Sequence, residues 1–382
     1  MNLNRSWRAL GLPFSASIAL LLLPSCVSGQ DAREESDRVV RAERTQRVAR
    51  GSESRHLAPS SISEAAKPAR AGVAPAEGFS RLIPWGQGET SVGLRPTAPL
   101  PESVPEGPSA IAVAEGGEVL VLDRLKGRVL EVTRGGVTQV AAAPRDAEDL
   151  AAGPGGVIGL HSPLRSRVFL RQLSGGTDLG ELGVPRELRL VRGVVIGATR
   201  EVLVQDAHQE TYRIGRPGSA LELPAVLHSK REGEWLLGDG RGLALRRHGD
   251  GRAELLVLRR GPHAPVELRR WLPGEVLAAR IIGLASGIAC LRLERARPDH
   301  GPRISVDREA LCLEVLDGRE IFRRALPDPA ASRYLPRREL ALGGAPLRLA
   351  FMSPREDGLQ VELWPLPVSG ASLASAPGEV RR

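Results

Sequence analysis

Residues 107–136 of the chain read GPSAIAVAEGGEVLVLDRLKGRVLEVTRGG, the clearest pattern of strands and turns in the sequence. It holds three short apolar runs, AIAVA, EVLVLD and RVLEVT, separated by Gly116-Gly117 and by Leu125-Lys126-Gly127. Short runs rich in Val, Leu and Ile that are bounded by glycine are typical of β-strands joined by tight turns. The stretch therefore predicts a compact antiparallel unit of three strands.

The same stretch resembles an NHL-type repeat. Its second run ends in Asp123, and its third run opens with Arg128, which matches the Asp and the following Arg in the repeat pattern of that family. NHL repeats form the blades of β-propellers, so the resemblance implies that this stretch is one blade of such a ring.

Later stretches keep the spacing of strands and turns of this unit but not its residue identities, which is characteristic of propellers and solenoids. Aligned on Asp123, three of them place His161, Asp206 and Asp239 at the corresponding position. Two looser units follow, GLASGIACLRLERA with EALCLEVLD, and PLRLAFMSPREDGLQVELWPL. We therefore predict an all-β fold, a β-propeller of six blades, with seven as the alternative if the segment around Trp271 forms a separate blade.

A ring of blades shields most sheet edges, but its first and last blades must be joined. Two stretches before the first unit, SRLIPWG and TSVGLRP, have the pattern of a strand pair. We expect this pair to complete the last blade. Beyond the N-terminal segment, no stretch keeps an apolar i, i+3, i+4 pattern over three turns without Gly or Pro, so long helices are not expected.

The N-terminus has the three-part layout of a bacterial secretory signal. Arg5 and Arg8 form a basic region, Ala16–Leu23 is apolar, and the Leu-Pro-Ser-Cys sequence ending at Cys26 resembles a lipobox. We predict that Cys26 is lipidated and that the protein is an outer-membrane lipoprotein. The alternative is ordinary cleavage after Val27-Ser28-Gly29, which would give a periplasmic or secreted protein.

These patterns divide the chain into four segments. Residues 1–26 form the signal with its lipobox, 27–77 a disordered linker, 78–370 the propeller and 371–382 a flexible tail. The linker is rich in Arg, Ser, Ala and Glu without a sustained apolar face, so it cannot bury enough surface to fold.

The charge pattern bears on the class of partner. The chain carries 53 Lys and Arg against 45 Asp and Glu, a formal net charge of +8. The arginines alternate with acidic residues along the chain instead of forming a patch, whereas phosphate binding needs clustered basic side chains. We predict no nucleic-acid partner.

Two cysteines of the propeller segment are placed to form a disulfide. The midpoint between Cys290 and Cys312 is Gly301, followed by Pro302. A hairpin turning there would set the cysteines opposite each other on adjacent antiparallel strands, within disulfide reach. In an exported protein we predict that they bond.

Candidate catalytic residues are few. Asp123, His161 and Asp206 end corresponding strands, so they could meet at one rim of the ring, although such residues more often hydrogen-bond the next turn. The adjacent Glu148 and Asp149 point to opposite faces of a strand and are poor acid–base partners.

The sequence encodes no local metal or cofactor motif. No histidine lies in a zinc-binding spacing, and no nucleophile elbow, phosphate loop or dinucleotide fingerprint is present. Some six-bladed propellers are calcium-dependent lactonases whose metal cage uses Asn, but Asn occurs here only at Asn2 and Asn4. We predict no metal site and no cofactor. Four tryptophans could stack a ligand, although packing is their commoner role: Trp85, Trp235, Trp271 and Trp364.

The sequence favours a non-catalytic, envelope-associated propeller that binds a protein or an envelope polymer through its rim loops or central funnel. Such a protein would touch the membrane only through its lipid anchor. The alternative is a propeller enzyme of the lyase or hydrolase type, with Asp123, His161 and Asp206 at the central channel. That hypothesis requires His161 to lie within hydrogen-bond reach of a carboxylate.

Overall fold

The computed structural model describes residues 77–96, 105–188, 190–208, 210–233, 235–236, 240–259, 265–297, 305–328 and 332–367. Within these ranges, 25 strands form six antiparallel sheets, each one blade of a β-propeller. The predicted all-β, six-bladed fold is confirmed. The seven-blade alternative is wrong, because Trp271 ends the outer strand of a four-stranded blade. The predicted signal with Cys26, nearly all of the linker, the C-terminal tail and Asp239 lie outside the described residues.

Blades 1 to 3 follow one another along the chain. Blade 1 contains β2 (Ala110–Val113), β3 (Val119–Asp123), β4 (Arg128–Val132) and β5 (Val137–Ala142). Blade 2 contains β6 (Asp149–Ala152), β7 (Val157–Ser162), β8 (Arg167–Gln172) and β9 (Asp178–Gly183), with 3₁₀ turns at Pro154–Gly156 and Ser174–Gly176. Blade 3 contains β10 (Gly193–Ile196), β11 (Val202–Gln205), β12 (Glu210–Arg216), β13 (Ser219–Ala220) and β14 (Arg231–Glu232), with the short helix α1 (Leu223–His228) between the last two.

Blades 4 to 6 complete the ring. Blade 4 contains β15 (Trp235–Leu236), β16 (Gly242–Arg247), β17 (Ala253–Leu258) and β18 (Val266–Trp271). Blade 5 contains β19 (Ala278–Ala285), β20 (Ile288–Arg297), β21 (Ser305–Glu314) and β22 (Glu320–Leu326). Blade 6 contains β23 (Leu340–Gly343), β24 (Arg348–Pro354), β25 (Gly358–Pro365) and, as its outer strand, β1 (Phe79–Pro84).

The pairing of β1 with β25 joins the two ends of the propeller. The strands pair antiparallel from Phe79 opposite Leu363 to Pro84 opposite Gly358. SRLIPWG therefore completes the last blade as predicted. The expected partner stretch TSVGLRP, residues 90–96, does not form a strand: it makes only isolated bridges, and the backbone N–H of its Gly93 bonds instead to a side chain of blade 1.

The inner strands are buried on both faces because a neighbouring blade covers each side. All five residues of β3 are buried, whereas the outer strand β18 alternates between half-buried and exposed positions. Apolar clusters join blades 6 and 1, 1 and 2, 2 and 3, 4 and 5, and 5 and 6. Each fully buried Val, Leu or Ile in them contributes roughly 1.5–3 kcal/mol relative to an exposed side chain.

Blade 5 contains the two cysteines. Cys290 of β20 and Cys312 of β21 lie directly opposite each other and are joined by a disulfide. Both side chains are buried in the cluster that joins blades 5 and 6. In the part of the chain that the structure describes, no helix is long and apolar enough to span a membrane.

Candidate functional site

We define the top face as the side of the ring at which the innermost strand of each blade begins. In several blades, the N–H group of the residue at or just before the start of the innermost strand donates to a carbonyl group at the end of the second strand. This shared hydrogen bond identifies equivalent positions in different blades. In blades 1, 2 and 3 the donors are Ser109, Glu148 and Arg192, and the acceptors are Leu122, His161 and Gln205. His161 is thus equivalent to Leu122, and Ser162, not His161, occupies the position of Asp123. The alignment of His161 with Asp123 is wrong by one residue.

Asp123 serves the structure of blade 1. Its side chain is fully buried, and its carboxylate accepts hydrogen bonds from Gly93 N at 3.2 and 3.3 Å and from Arg128 Nε at 3.2 Å. Burial raises the pKa of Asp123, while Arg128 and the Gly93 N–H act in the opposite direction. The carboxylate anchors the segment that follows β1 to the end of β3.

Asp206 caps its own turn. Its Oδ1 accepts hydrogen bonds from the backbone N–H groups of His208 at 2.8 Å and Glu210 at 2.9 Å. An Asp side chain that bonds the backbone two residues ahead is a common turn device. Within the described ranges, no hydrogen bond or ion pair links Asp206 to Asp123 or to His161.

His161 lies among charged groups but does not hydrogen-bond a carboxylate among the residues described. Its side chain is 3% exposed and its Nδ1 has no hydrogen-bond partner. Burial lowers the pKa of His161, and the nearby Arg337 guanidinium lowers it further against the opposing charges of Asp149 and Glu148. The imidazole is therefore neutral at pH 7. Among the described residues, the contact between His161 and a carboxylate that the enzyme hypothesis requires is therefore not found.

The structure instead connects blade 6 to blades 2 and 3. Arg337 Nη1 donates to Glu148, and Arg338 Nη2 donates to Asp149 Oδ2 at 2.6 Å. The same Asp149 oxygen accepts the N–H of Val194 at 2.8 Å. These contacts join residues almost half the chain apart, because Arg338 lies just before the innermost strand of blade 6 and Asp149 begins that of blade 2.

Gly193 makes room for this contact. A Cβ atom there would lie 2.9 Å from Arg338 Nη2 and 3.3 Å from Asp149 Oδ2. A larger residue at this position would displace the arginine from the buried carboxylate.

A cleft of about 250 Å³, which we call the mouth cleft, lies on the top face beside these arginines. One wall is apolar and comes from Pro105, Pro108, Tyr334, Leu335 and Pro336. Tyr334 is held in place by its hydroxyl, which donates to Pro108 O at 3.1 Å.

The other wall of the mouth cleft is a row of ion pairs. Arg124 lies 2.9 Å from Glu106 and 3.9 Å from Glu148, and Glu148 also binds Arg337. The charges alternate, so each carboxylate has a cationic neighbour. The mouth cleft thus combines an apolar wall with a wall whose charges are already paired.

The sequence predicts only that the adjacent Glu148 and Asp149 point to opposite faces, and their two side chains do bind different arginines. It does not predict this site. Arg337 and Arg338 had no distinguishing signal among the many arginines of the chain. Their role depends on which blades the ring brings together.

The described residues include no group of three or more His, Cys, Asp or Glu side chains that could hold a metal ion. Of the tryptophans, Trp364 is buried, Trp85 donates to Arg355 O at 3.1 Å, and Trp235 lines a small cavity with Arg338. Trp271 differs, because 52% of it is exposed.

No family model matches the chain, and no curated protein matches it. Several solved structures are similar in fold. Hydrazine synthase from Kuenenia stuttgartiensis is 14% identical with a TM-score of 0.39, over 67% of this chain and 78% of that one. Virginiamycin B lyase from Staphylococcus aureus is 10% identical with a TM-score of 0.32, over 75% and 99%. The Cps50 (Swd1) β-propeller domain of Myceliophteria thermophila is 12% identical with a TM-score of 0.36, over 72% and 100%. At these identities the likeness concerns the fold alone and assigns no activity to the chain.

Proposed function

We propose that this protein is a non-catalytic β-propeller of the bacterial cell envelope that binds a protein partner on its top face. The observation that carries the proposal is the mouth cleft together with Leu335, an apolar side chain of its wall that is 65% exposed. Two more leucines are exposed in top-face connections, Leu164 at 87% and Leu190 at 65%.

The composition of this surface suits a protein better than a polymer. Exposed leucines around a cleft supply the apolar centre that protein interfaces use, and polar groups at the rim exclude water. Because two arginines, Arg124 and Arg337, are balanced by two carboxylates, Glu106 and Glu148, an apolar side chain could enter the mouth cleft without leaving a charge unpaired.

The alternative of a lyase or hydrolase has less support. Asp123 and Asp206 are engaged in structural hydrogen bonds, and among the described residues His161 is neutral and buried without a carboxylate partner. A catalytic proposal would need other residues.

Export and membrane attachment are part of the proposal. The lipobox-like sequence at Cys26 supports an outer-membrane lipoprotein, and the NHL-like pattern of blade 1 supports a binding role. The intact mass of the mature protein tests the anchor. We expect lipid on Cys26, whereas an unmodified chain that starts at Gln30 would support a periplasmic or secreted protein.

The partner surface is tested by comparing Leu335→Asp with Leu316→Asp in the full-length protein. Leu316 is 62% exposed but lies in the β21–β22 turn, on the opposite face. Both variants and the wild type are cross-linked in intact cells, and the captured proteins are quantified. We expect a partner retained by wild type and Leu316→Asp and lost by Leu335→Asp. Equal capture by all three proteins would contradict the proposal.

A further inference from the structure

A second cleft lies between blades 3 and 4. Among the described residues the apolar clusters join the other five pairs of neighbouring blades, whereas Leu256 and Leu258 cluster only with side chains of their own blade. The gap, which we call the 3–4 cleft, has a volume of about 530 Å³. Clefts of roughly 300–1,000 Å³ typically hold small-molecule ligands. Blade 3 contributes His208, Glu210 and Gly233 to its lining.

The register of blade 4 defines the other wall of the 3–4 cleft. Residues i, i+2 and i+4 of a strand share one face, and the opposite face of β17 packs against blade 5. This face of blade 4 therefore carries three rows of paired positions: Arg246, Glu254 and Trp271 nearest the top face, then Ala244, Leu256 and Arg269, then Gly242, Leu258 and Val266. Arg246, Ala244, Leu256, Leu258 and Val266 line the 3–4 cleft itself, whereas Glu254, Trp271 and Arg269 continue the same face beyond its lining. This wall is polar and aromatic at the top and apolar below.

Trp271 offers an exposed aromatic surface at the upper end of this wall. Arg252 lies over its ring at 4.7 Å, and the His248 ring is centred 5.1 Å away. These neighbours fix the orientation of the indole while half of the residue stays exposed. An exposed, oriented indole is suited to stacking on the apolar face of a sugar ring.

Glu254 is a buried carboxylate at the centre of the top row. Its Oε1 lies 3.1 Å from His248 Nε2, 3.7 Å from Arg246 and 3.8 Å from Arg269. Its Oε2 has no hydrogen-bond partner among the described residues, although Glu254 is fully buried. A buried acceptor without a donor costs free energy, which a ligand hydroxyl would offset.

The charges around Glu254 favour an anionic ligand. Arg246 and Arg269 have side chains that are 51% and 55% exposed, and both share the single charge of Glu254 at more than 3.5 Å. Two arginines beside one carboxylate leave a net positive charge next to Trp271. The guanidinium group of arginine is well suited to bind a carboxylate in a bidentate manner.

We propose that the 3–4 cleft, together with the face of blade 4 that continues from it to Trp271, binds an acidic saccharide that also carries N-acyl groups. Trp271 would stack on a sugar ring, Arg246 and Arg269 would bind the carboxylate, and Glu254 Oε2 would accept a hydroxyl. The acyl methyl groups would pack on Leu256 and on the apolar residues below it. Saccharides with both a carboxylate and N-acetyl groups occur in bacterial cell-wall glycan. This site is separate from the mouth cleft and does not depend on the protein partner proposed there.

Calorimetric titration of the full-length protein tests the proposal with three probes. The disaccharide of N-acetylglucosamine and N-acetylmuramic acid has both groups, chitobiose has N-acyl groups but no carboxylate, and digalacturonate has carboxylates but no N-acyl groups. We expect saturable binding of the first, and binding weaker by about tenfold or more for the other two. Absence of saturable binding by the first probe, or equal binding of all three, would overturn the proposal.

Variants locate the site. Trp271→Ala and Arg269→Gln should each weaken binding of the muramic acid disaccharide by about tenfold or more. Arg324→Gln is the matched control, because Arg324 also lies on an outer strand over a tryptophan ring, at 4.5 Å from Trp364. Wild-type affinity in Arg269→Gln, a surface change that leaves the core intact, would refute the site. Leu335→Asp should bind the saccharide normally, which separates this test from that of the mouth cleft.

Discussion

His161 is kept neutral by its surroundings, and this has a consequence for the pH dependence of stability. Burial is the main cause of its lowered pKa, and the positive charge of Arg337 is the second. Because the unfolded chain takes up a proton on this imidazole more readily than the folded protein does, acid favours unfolding. The stabilisation is complete above the ordinary pKa of 6.5 and is lost as the pH falls toward the depressed value of the folded state.

Replacement of His161 by Gln should remove this pH dependence. Glutamine is compatible with the site, because Gln205 occupies the equivalent position of blade 3. We expect the free energy of unfolding in urea to fall less steeply for His161→Gln than for wild type between pH of about 7.5 and 5. His228→Gln, at an exposed position of α1, should keep the wild-type slope. Identical slopes for all three proteins would show that His161 is not the group responsible.

The direction of the His161 side chain could not be predicted by aligning the repeats. Asp123 and His161 are both polar residues near the end of the second strand of their blades, so an alignment by residue type places them at the same position. The register shows Ser162 at the position of Asp123, and a shift of one residue moves a side chain to the other face of the strand. The strand could therefore be predicted, but the direction of the side chain could not.

At the scale of single elements, β1 decides whether the ring is closed. It supplies the outer strand of blade 6, although it precedes blade 1 in the chain. Ile83 is fully buried in the cluster shared by blades 6 and 1, whereas its neighbour Leu82 is 42% exposed. The alternation follows from the two-residue period of a strand with one covered face.

Ile83→Ala should therefore destabilise the protein far more than Leu82→Ala. Truncation of a buried Ile costs about 2–5 kcal/mol, and a surface change stays within roughly 0.5 kcal/mol. Unfolding in urea measures both, with the slope of free energy against urea concentration as a check that the same surface is exposed. Equal losses in the two variants would mean that β1 does not close the ring through Ile83.

Element prediction succeeded where the chemistry was local. The apolar runs bounded by glycine in blades 1, 2 and 6 became strands, and the midpoint argument placed Cys290 opposite Cys312. It failed at residues 90–96, where Val92 and Leu94 suggested a strand. There the chain turns across the top face and is held by Asp123, a contact that no local pattern encodes.

For the molecule as a whole, the regular spacing of the repeated units was enough to predict six blades, because each unit needs a neighbour on either side to cover its faces. The contacts between distant blades were beyond the sequence. Arg338 and Asp149 meet only because the ring brings the start of blade 6 near the start of blade 2. This contact fixes three blades relative to one another, since Val194 of blade 3 hydrogen-bonds both side chains.

A double-mutant cycle on Arg338 and Asp149 tests whether this contact stabilises the ring. Asp149 is 1% and Arg338 13% exposed, and removal of one partner of a buried ion pair typically costs about 3–5 kcal/mol, because the other charge is left unpaired. Arg338→Gln and Asp149→Asn should each lower the free energy of unfolding, and the double variant should lose less than the sum, by roughly 0.5–3 kcal/mol. Arg333→Gln is the control from the same connection, since its ion pair with Glu356 spans 3.9 Å at the surface and should contribute about 0–1 kcal/mol. Strict additivity of the two buried substitutions would show that blades 2 and 6 are held in place independently of this pair.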